Sequence, residues 1–164
     1  MANPIVAIAL GSNVGDRRSH LDFAVANLRT LLADVIVSRY YETAPVGVTH
    51  PQAMFLNAAA VGTATLTPRE LLDELLAIEG RRGRSRLYAN APRTLDLDLV
   101  LFGESVIEEA NLQVPHPRFR QRLFVLEPLA EIGAALRDPV TGHTVGELFE
   151  QLSEARAMPP GRTG

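Results

Sequence analysis

Asp96 and Asp98 stand two residues apart in Thr94-Leu95-Asp96-Leu97-Asp98-Leu99-Val100-Leu101-Phe102, a run that is otherwise almost wholly apolar. Side chains alternate across a strand. Leu95, Leu97, Leu99 and Leu101 are therefore predicted on one face and the two carboxylates on the other, with Cα atoms roughly 6.5–7 Å apart. Aspartate is depleted in strands, and burying two like charges is costly unless a cation lies between them. Carboxylate oxygens suit Mg2+, which is commonly held by one or two carboxylates together with substrate phosphates. Two carboxylates at this spacing can also bracket a pair of ions ~3.5–4 Å apart, the arrangement of two-metal phosphoryl chemistry. Taken alone, a bare Asp-x-Asp is better explained by an edge strand whose outer face is wet.

The arginines narrow that choice. The chain has no lysine, so all 16 basic residues are arginine, and eight fall between 81 and 122: Arg81, Arg82, Arg84, Arg86, Arg93, Arg118, Arg120 and Arg122. No acid occurs from Gly80 to Leu95 or from Ala110 to Leu126. A triphosphate chelated to Mg2+ keeps negative charge, and arginine meets it with planar paired donors and a charge that does not titrate away. Phosphoryl transfer needs mainly such positioning and neutralisation. No nucleophile–base pair stands out. The residues alone leave open another Mg2+-dependent nucleotide enzyme with its own Asp-x-Asp, or a non-catalytic ligand- or partner-binding module.

The elements that must position these groups are legible from periodicity. Ile5 to Leu10 reads as a buried strand ended by Gly11-Ser12-Asn13 and Gly15, and Leu21, Val25, Leu28 and Leu32 recur at helical spacing over 17–33. A β-branched and aromatic strand follows from Val35 to Thr43, then a Pro- and Gly-punctuated loop, then a strand from Phe55 to Thr63. Thr67-Pro68-Arg69-Glu70 has the form of a capping box with proline in the first helical position. That helix ends at Gly80 or Gly83, an Arg-rich loop covers 81–93, and the Asp-bearing strand 94–102 stops at Gly103. The order β-α-β-β-α-β is the ferredoxin-like, split βαβ arrangement of the α+β class. A short strand pair near 105–114, a helical region from Pro117 to Gly133 and a last helix capped by Thr144 complete the expectation. One domain spans 1–157, and the tail 158–164 is expected to be disordered.

Composition excludes several functions. At 46% hydrophobic and 21% charged residues the chain is globular in type, and no apolar stretch reaches the ~20 residues of a membrane span. A net charge of −3 argues against generic nucleic-acid binding. Zero cysteines removes disulfides, thiolate metal sites and a Cys nucleophile, and the absence of lysine removes a P-loop. Met-Ala-Asn-Pro has no basic segment of a secretory leader, so a cytoplasmic location is expected.

Asn90-Ala91-Pro92-Arg93-Thr94-Leu95-Asp96-Leu97-Asp98-Leu99-Val100-Leu101-Phe102-Gly103 closely resembles the 6-hydroxymethyl-7,8-dihydropterin pyrophosphokinase family. Ala9-Leu10-Gly11-Ser12-Asn13, Tyr41 to Gly47, Phe55 to Ala59, Val114-Pro115-His116 and Phe124 to Leu129 resemble further blocks of the family, in family order. The resemblance implies transfer of the β,γ-pyrophosphoryl unit of ATP to the pterin hydroxymethyl group, releasing AMP, in folate biosynthesis. It implies that Asp96 and Asp98 bind two Mg2+ ions with ATP, and that Arg84 and Arg93 stabilise the transferring group. His116 and Arg122 would hold ATP phosphates, with Leu99 near the adenine. Thr43, Asn57 and the backbone of Ala44 and Val46 would bond the pterin, sandwiched by Phe55 and Phe124. Two aromatic faces suit a flat ring, and an amide offers both a donor and an acceptor to its edge. Phe55 stands where the family often has Tyr, and Tyr88-Ala89-Asn90 where a basic residue is common. The resemblance implies no obligate protein partner, membrane or nucleic acid.

Overall fold

A computed structural model describes residues 2–44, 54–82 and 94–157. Arg84, Arg93, Val46, Tyr88-Ala89-Asn90 and the tail 158–164 lie outside them. The elements follow the expected order: β1 (Ile5–Ser12), α1 (Arg17–Leu31), β2 (Leu32–Val37), β3 (Tyr41–Thr43), β4 (Phe55–Ala64), α2 (Pro68–Arg81) and β5 (Asp96–Phe102). Next come β6 (Ile107–Glu109), β7 (Leu112–Val114), a 3-10 turn at Phe119–Gln121, α3 (Leu123–Gly133) and α4 (Val145–Ala157). The main sheet is ordered β2-β4-β1-β5 with β3 also on β4, its pairings all antiparallel, as a ferredoxin-like βαββαβ unit requires. β6 and β7 form a separate hairpin.

Both expected caps are present. Thr67 accepts from the Glu70 N–H while the Glu70 carboxylate accepts from the Thr67 N–H. Thr144 and Glu147 exchange the same pair of bonds at the start of α4. Alternation along β1 splits the core into two. Val6, Ile8 and Leu10 pack with α1 and α2, and Ala7 and Ala9 face Phe119, α3 and α4. The two C-terminal helices thus cover the face a bare βαββαβ unit leaves open.

Three expectations need correction. β1 does not end at Gly11: Gly11 and Ser12 still pair, with Asn57 and Leu56 of β4. The second strand is two pieces. Asp34 takes a left-handed φ of 54° within a register shift, and at the break the buried Ser38 hydroxyl accepts from the Ala59 N–H, replacing a ladder bond. Finally, Leu101 does not share a face with Leu95, Leu97 and Leu99. The β1–β5 register moves from Ala7↔Leu101 to Ile8↔Leu99, so a bulge reverses the alternation and puts Leu101 against the C-terminal helices. Asp96 and Asp98 lie before the bulge and keep the face opposite Leu95, Leu97 and Leu99.

Candidate active site

Register brings the site together. Tyr41, Asn57, Gly11 and Asp96 form one row across β3, β4, β1 and β5, and Ala59, Ala9 and Asp98 form the next. Ala9, Ala59 and the two aspartates lie on the face turned to the C-terminal helices. Asn57, Gly11 and Asp96 of the first row and Ala9 and Asp98 of the second line a cavity of about 430 Å3, beside Phe124 and Val125 from the start of α3. Asn57 and Asp96 are two strands apart, about 10 Å at the usual strand spacing, which is room for a flat two-ring heterocycle between amide and carboxylate.

The cavity is lined by Thr43, Ala44, Phe55, Asn57, Asp96, Asp98, His116, Arg122 and Phe124, together with Ala9, Leu10, Gly11 and Val125. Nine residues singled out in the sequence therefore meet in one place, drawn from β3, β4, β5, α3 and the segment before it. Leu99 lines an adjoining cavity of about 360 Å3 that shares Asp98 and His116 with the first. Its wall includes Asn111, Gln113 and Pro117. Arg120 is not brought in. Its guanidinium makes a paired bond to the buried Asp138 at 2.5 and 2.9 Å, while Arg122, two residues on, lines the cavity with its guanidinium 5.5 Å from the Phe124 ring centre.

The polar groups are held by identifiable contacts. Asn57 Nδ2 donates to the Thr43 hydroxyl at 2.5 Å, leaving the amide oxygen and a second N–H for other partners. The Leu97 N–H, between the two aspartates, donates at 2.7 Å to Glu79 from the end of α2, which is only 3% exposed and fixes this edge of β5. The His116 N–H donates to Val100 O, holding the ring beside β5. Burial holds the His116 pKa below its ordinary value, with help from Arg122 and Arg118 and against the opposing field of Asp98. The neutral ring accepts from the Arg118 N–H at Nδ1, so Nε2 carries the proton.

Among the described residues no group of three or more His, Asp and Glu side chains could hold a metal by itself. Two carboxylates on one face suit Mg2+, whose remaining ligands are commonly phosphates and water. Sequence reading missed Gly11 and Ala9 as site residues. Their signal is the run of small side chains at alternate positions, Ala7, Ala9 and Gly11, along one face of the strand. It missed Glu79 too, because only the packing of α2 against β5 buries that acid. No helix among the described residues is long and apolar enough to cross a membrane.

The sequence model of the 7,8-dihydro-6-hydroxymethylpterin-pyrophosphokinase (HPPK) family matches residues 7–134. The 2-amino-4-hydroxy-6-hydroxymethyldihydropteridine pyrophosphokinase of Bacillus subtilis is 51% identical over 132 residues, covering 79% of this chain and 78% of that protein. The enzyme of the same name from Synechocystis is 41% identical over 155 residues, 93% of this chain and 78% of that one. A crystal structure of Plasmodium falciparum HPPK-DHPS superposes with a TM-score of 0.76 at 15% identity, covering 94% of this chain and 46% of that one. That likeness bears on the fold alone, and the chain spans about half of that longer protein. By sequence match over most of its length, the chain belongs to the 7,8-dihydro-6-hydroxymethylpterin-pyrophosphokinase family.

Proposed function

We propose that the pyrophosphoryl transfer of this family runs, in this chain, across the row Asn57–Gly11–Asp96, with Asp96 and Asp98 holding Mg2+ at one end and Asn57 holding the pterin at the other. The reaction converts ATP and 6-hydroxymethyl-7,8-dihydropterin to AMP and the pterin diphosphate in folate biosynthesis. The observation that carries the assignment is the shared cavity. Amide, aromatic faces, carboxylates and a phosphate-suited arginine line one space of about 430 Å3.

On this reading Phe55 and Phe124 clasp the ring, while Thr43, Asn57 and the backbone of Ala44 and Val46 bond its polar edge. The hydroxymethyl group is thereby directed along the sheet toward β5. Arg122 and the Nε2–H of His116 hold ATP phosphates, and Leu99 lies against the adenine in the adjoining cavity. Arg84 and Arg93 act on the transferring group. Bound Mg2+ would supply neutralisation and in-line orientation of the triphosphate. The hydroxyl oxygen bonds the β-phosphorus as the bridge to the α-phosphate breaks, the hydroxyl proton is lost, and AMP leaves. One domain over 1–157 carries the reaction without an obligate partner, in the cytoplasm where ATP is held.

Asp98→Asn keeps the shape and removes the charge. AMP formation should fall at least about a thousandfold, the loss of several kcal/mol of metal-assisted stabilisation. Pterin binding followed by fluorescence should survive. Normal AMP release from the double variant Asp96→Asn, Asp98→Asn would overturn the metal assignment.

A further inference from the structure

Arg17 opens α1 and does not line the cavity, yet its guanidinium joins the two strands that bear the proposed pterin contacts. Nη1 donates to Met54 O at 2.7 Å, and Nη2 pairs with Glu42 Oε1 at 2.5 Å. Glu42 directly precedes Thr43, and Met54 directly precedes Phe55. Thr43 and Phe55 are themselves register partners at the end of the β3–β4 ladder, and both line the cavity. One side chain thus grips both strands beside the pair whose side chains form the pocket mouth.

β3 needs such a grip. It is three residues long and, among the described residues, pairs with β4 alone. Its first residue is tied to α3, where the Tyr41 hydroxyl donates to Glu131 at 2.5 Å, but a strand this short contributes little to the placement of its other end, at Thr43. Any slide of β3 along β4 also moves the Thr43 hydroxyl, which accepts from Asn57 Nδ2 at 2.5 Å and so sets the orientation of the amide. Arg17 is anchored in turn by the start of its helix, where Asp16 accepts from the Ser19 N–H. The planar guanidinium reaches a carboxylate and a carbonyl at once, whereas an ammonium is a point charge on a flexible stem. Because the Glu42 side chain is 57% exposed, the ion pair adds little to global stability, and its consequence is local geometry.

We propose that Arg17 is a positioning residue for the pterin half of the site, holding Thr43 and Phe55 in register without touching either substrate. The inference rests on the reading that Thr43, Phe55 and Asn57 hold the pterin. Arg17→Met should raise the pterin KM roughly five- to tenfold, the scale of one lost hydrogen bond of ordinary strength. The ATP KM and the melting temperature should stay where they are. Arg17→Lys should recover part of the loss. An unchanged pterin KM, or a parallel rise in both KM values with a lowered melting temperature, overturns the proposal. Asn57→Ala is measured alongside. If it raises the pterin KM while Arg17→Met does not, the positioning role alone fails. If Asn57→Ala leaves the pterin KM unchanged, the pterin placement fails and this inference with it.

Discussion

Gly11 is the most informative single position to perturb, because its glycine is required by space and not by backbone conformation. It pairs in register with both Asn57 and Asp96, in an antiparallel ladder any residue can adopt. A Cβ added there would lie 3.2 Å from Asn57 Oδ1, inside ordinary contact. Gly11→Ala therefore leaves the strand intact, and a gain of up to about 1 kcal/mol from restricting the unfolded chain is set against the shift the Asn57 amide must make. The methyl group instead displaces the Asn57 amide, whose Nδ2 is tied to Thr43 at 2.5 Å, so that the amide loses either that bond or its alignment to a ligand. An amide left unsatisfied in a buried site costs about 2 kcal/mol, which is roughly a thirtyfold rise in the pterin dissociation constant. Fluorescence titration with the pterin, in the presence of Mg2+ and a non-transferable ATP analogue, measures that constant. A thermal melt measures the fold. Undiminished pterin affinity in Gly11→Ala would refute the claim that this row is the floor of the pterin site. A large fall in melting temperature would refute the claim that space for the amide is the glycine's purpose.

Other expectations follow from the same geometry. Burial pushes the Asp138 carboxyl up, but Arg120, the Thr141 hydroxyl and the Val140 N–H more than offset this, leaving its pKa lowered from 3.8 to about 2. A depressed carboxyl stabilises the fold fully above its unfolded value. About 2 kcal/mol of stability should therefore disappear as the pH falls from about 4 through about 2, and urea denaturation of Asp138→Asn should lack that pH-dependent component. An identical acid limb in wild type and variant would show the pair to be unimportant. Arg122→Ala should raise the ATP KM about tenfold or more, and Phe124→Leu the pterin KM by a similar factor. Because Arg122 lies over the Phe124 ring, the double variant should be non-additive. Equal effects of each single variant on both substrates would dissolve the division of the cavity into two halves.

Much of this protein is written locally. Strand and helix periods, the reciprocal caps at Thr67–Glu70 and Thr144–Glu147, and the order βαββαβ all depend on residues a few positions apart, so the sequence alone suffices to read them. Resemblance to a family added the roles proposed for Thr43, Asn57, His116, Arg122 and Phe124, residues whose chemistry taken one by one is that of ordinary core or loop positions. Tertiary structure decided what depends on register and packing between distant segments. Alternation alone put Leu101 with Leu95, Leu97 and Leu99, because a bulge is a mismatch between two strands and leaves no mark in one of them. Arg118, Arg120 and Arg122 are alike as a run of basic residues. They part only when Phe119 enters the core and Arg120 meets Asp138, leaving Arg122 at the cavity. Asp96 and Asp98 could be paired on one face from the strand period. Only the ladder with Gly11 and Asn57 set them across a two-strand gap from an amide, since that distance is fixed by which strands are neighbours and not by spacing along the chain.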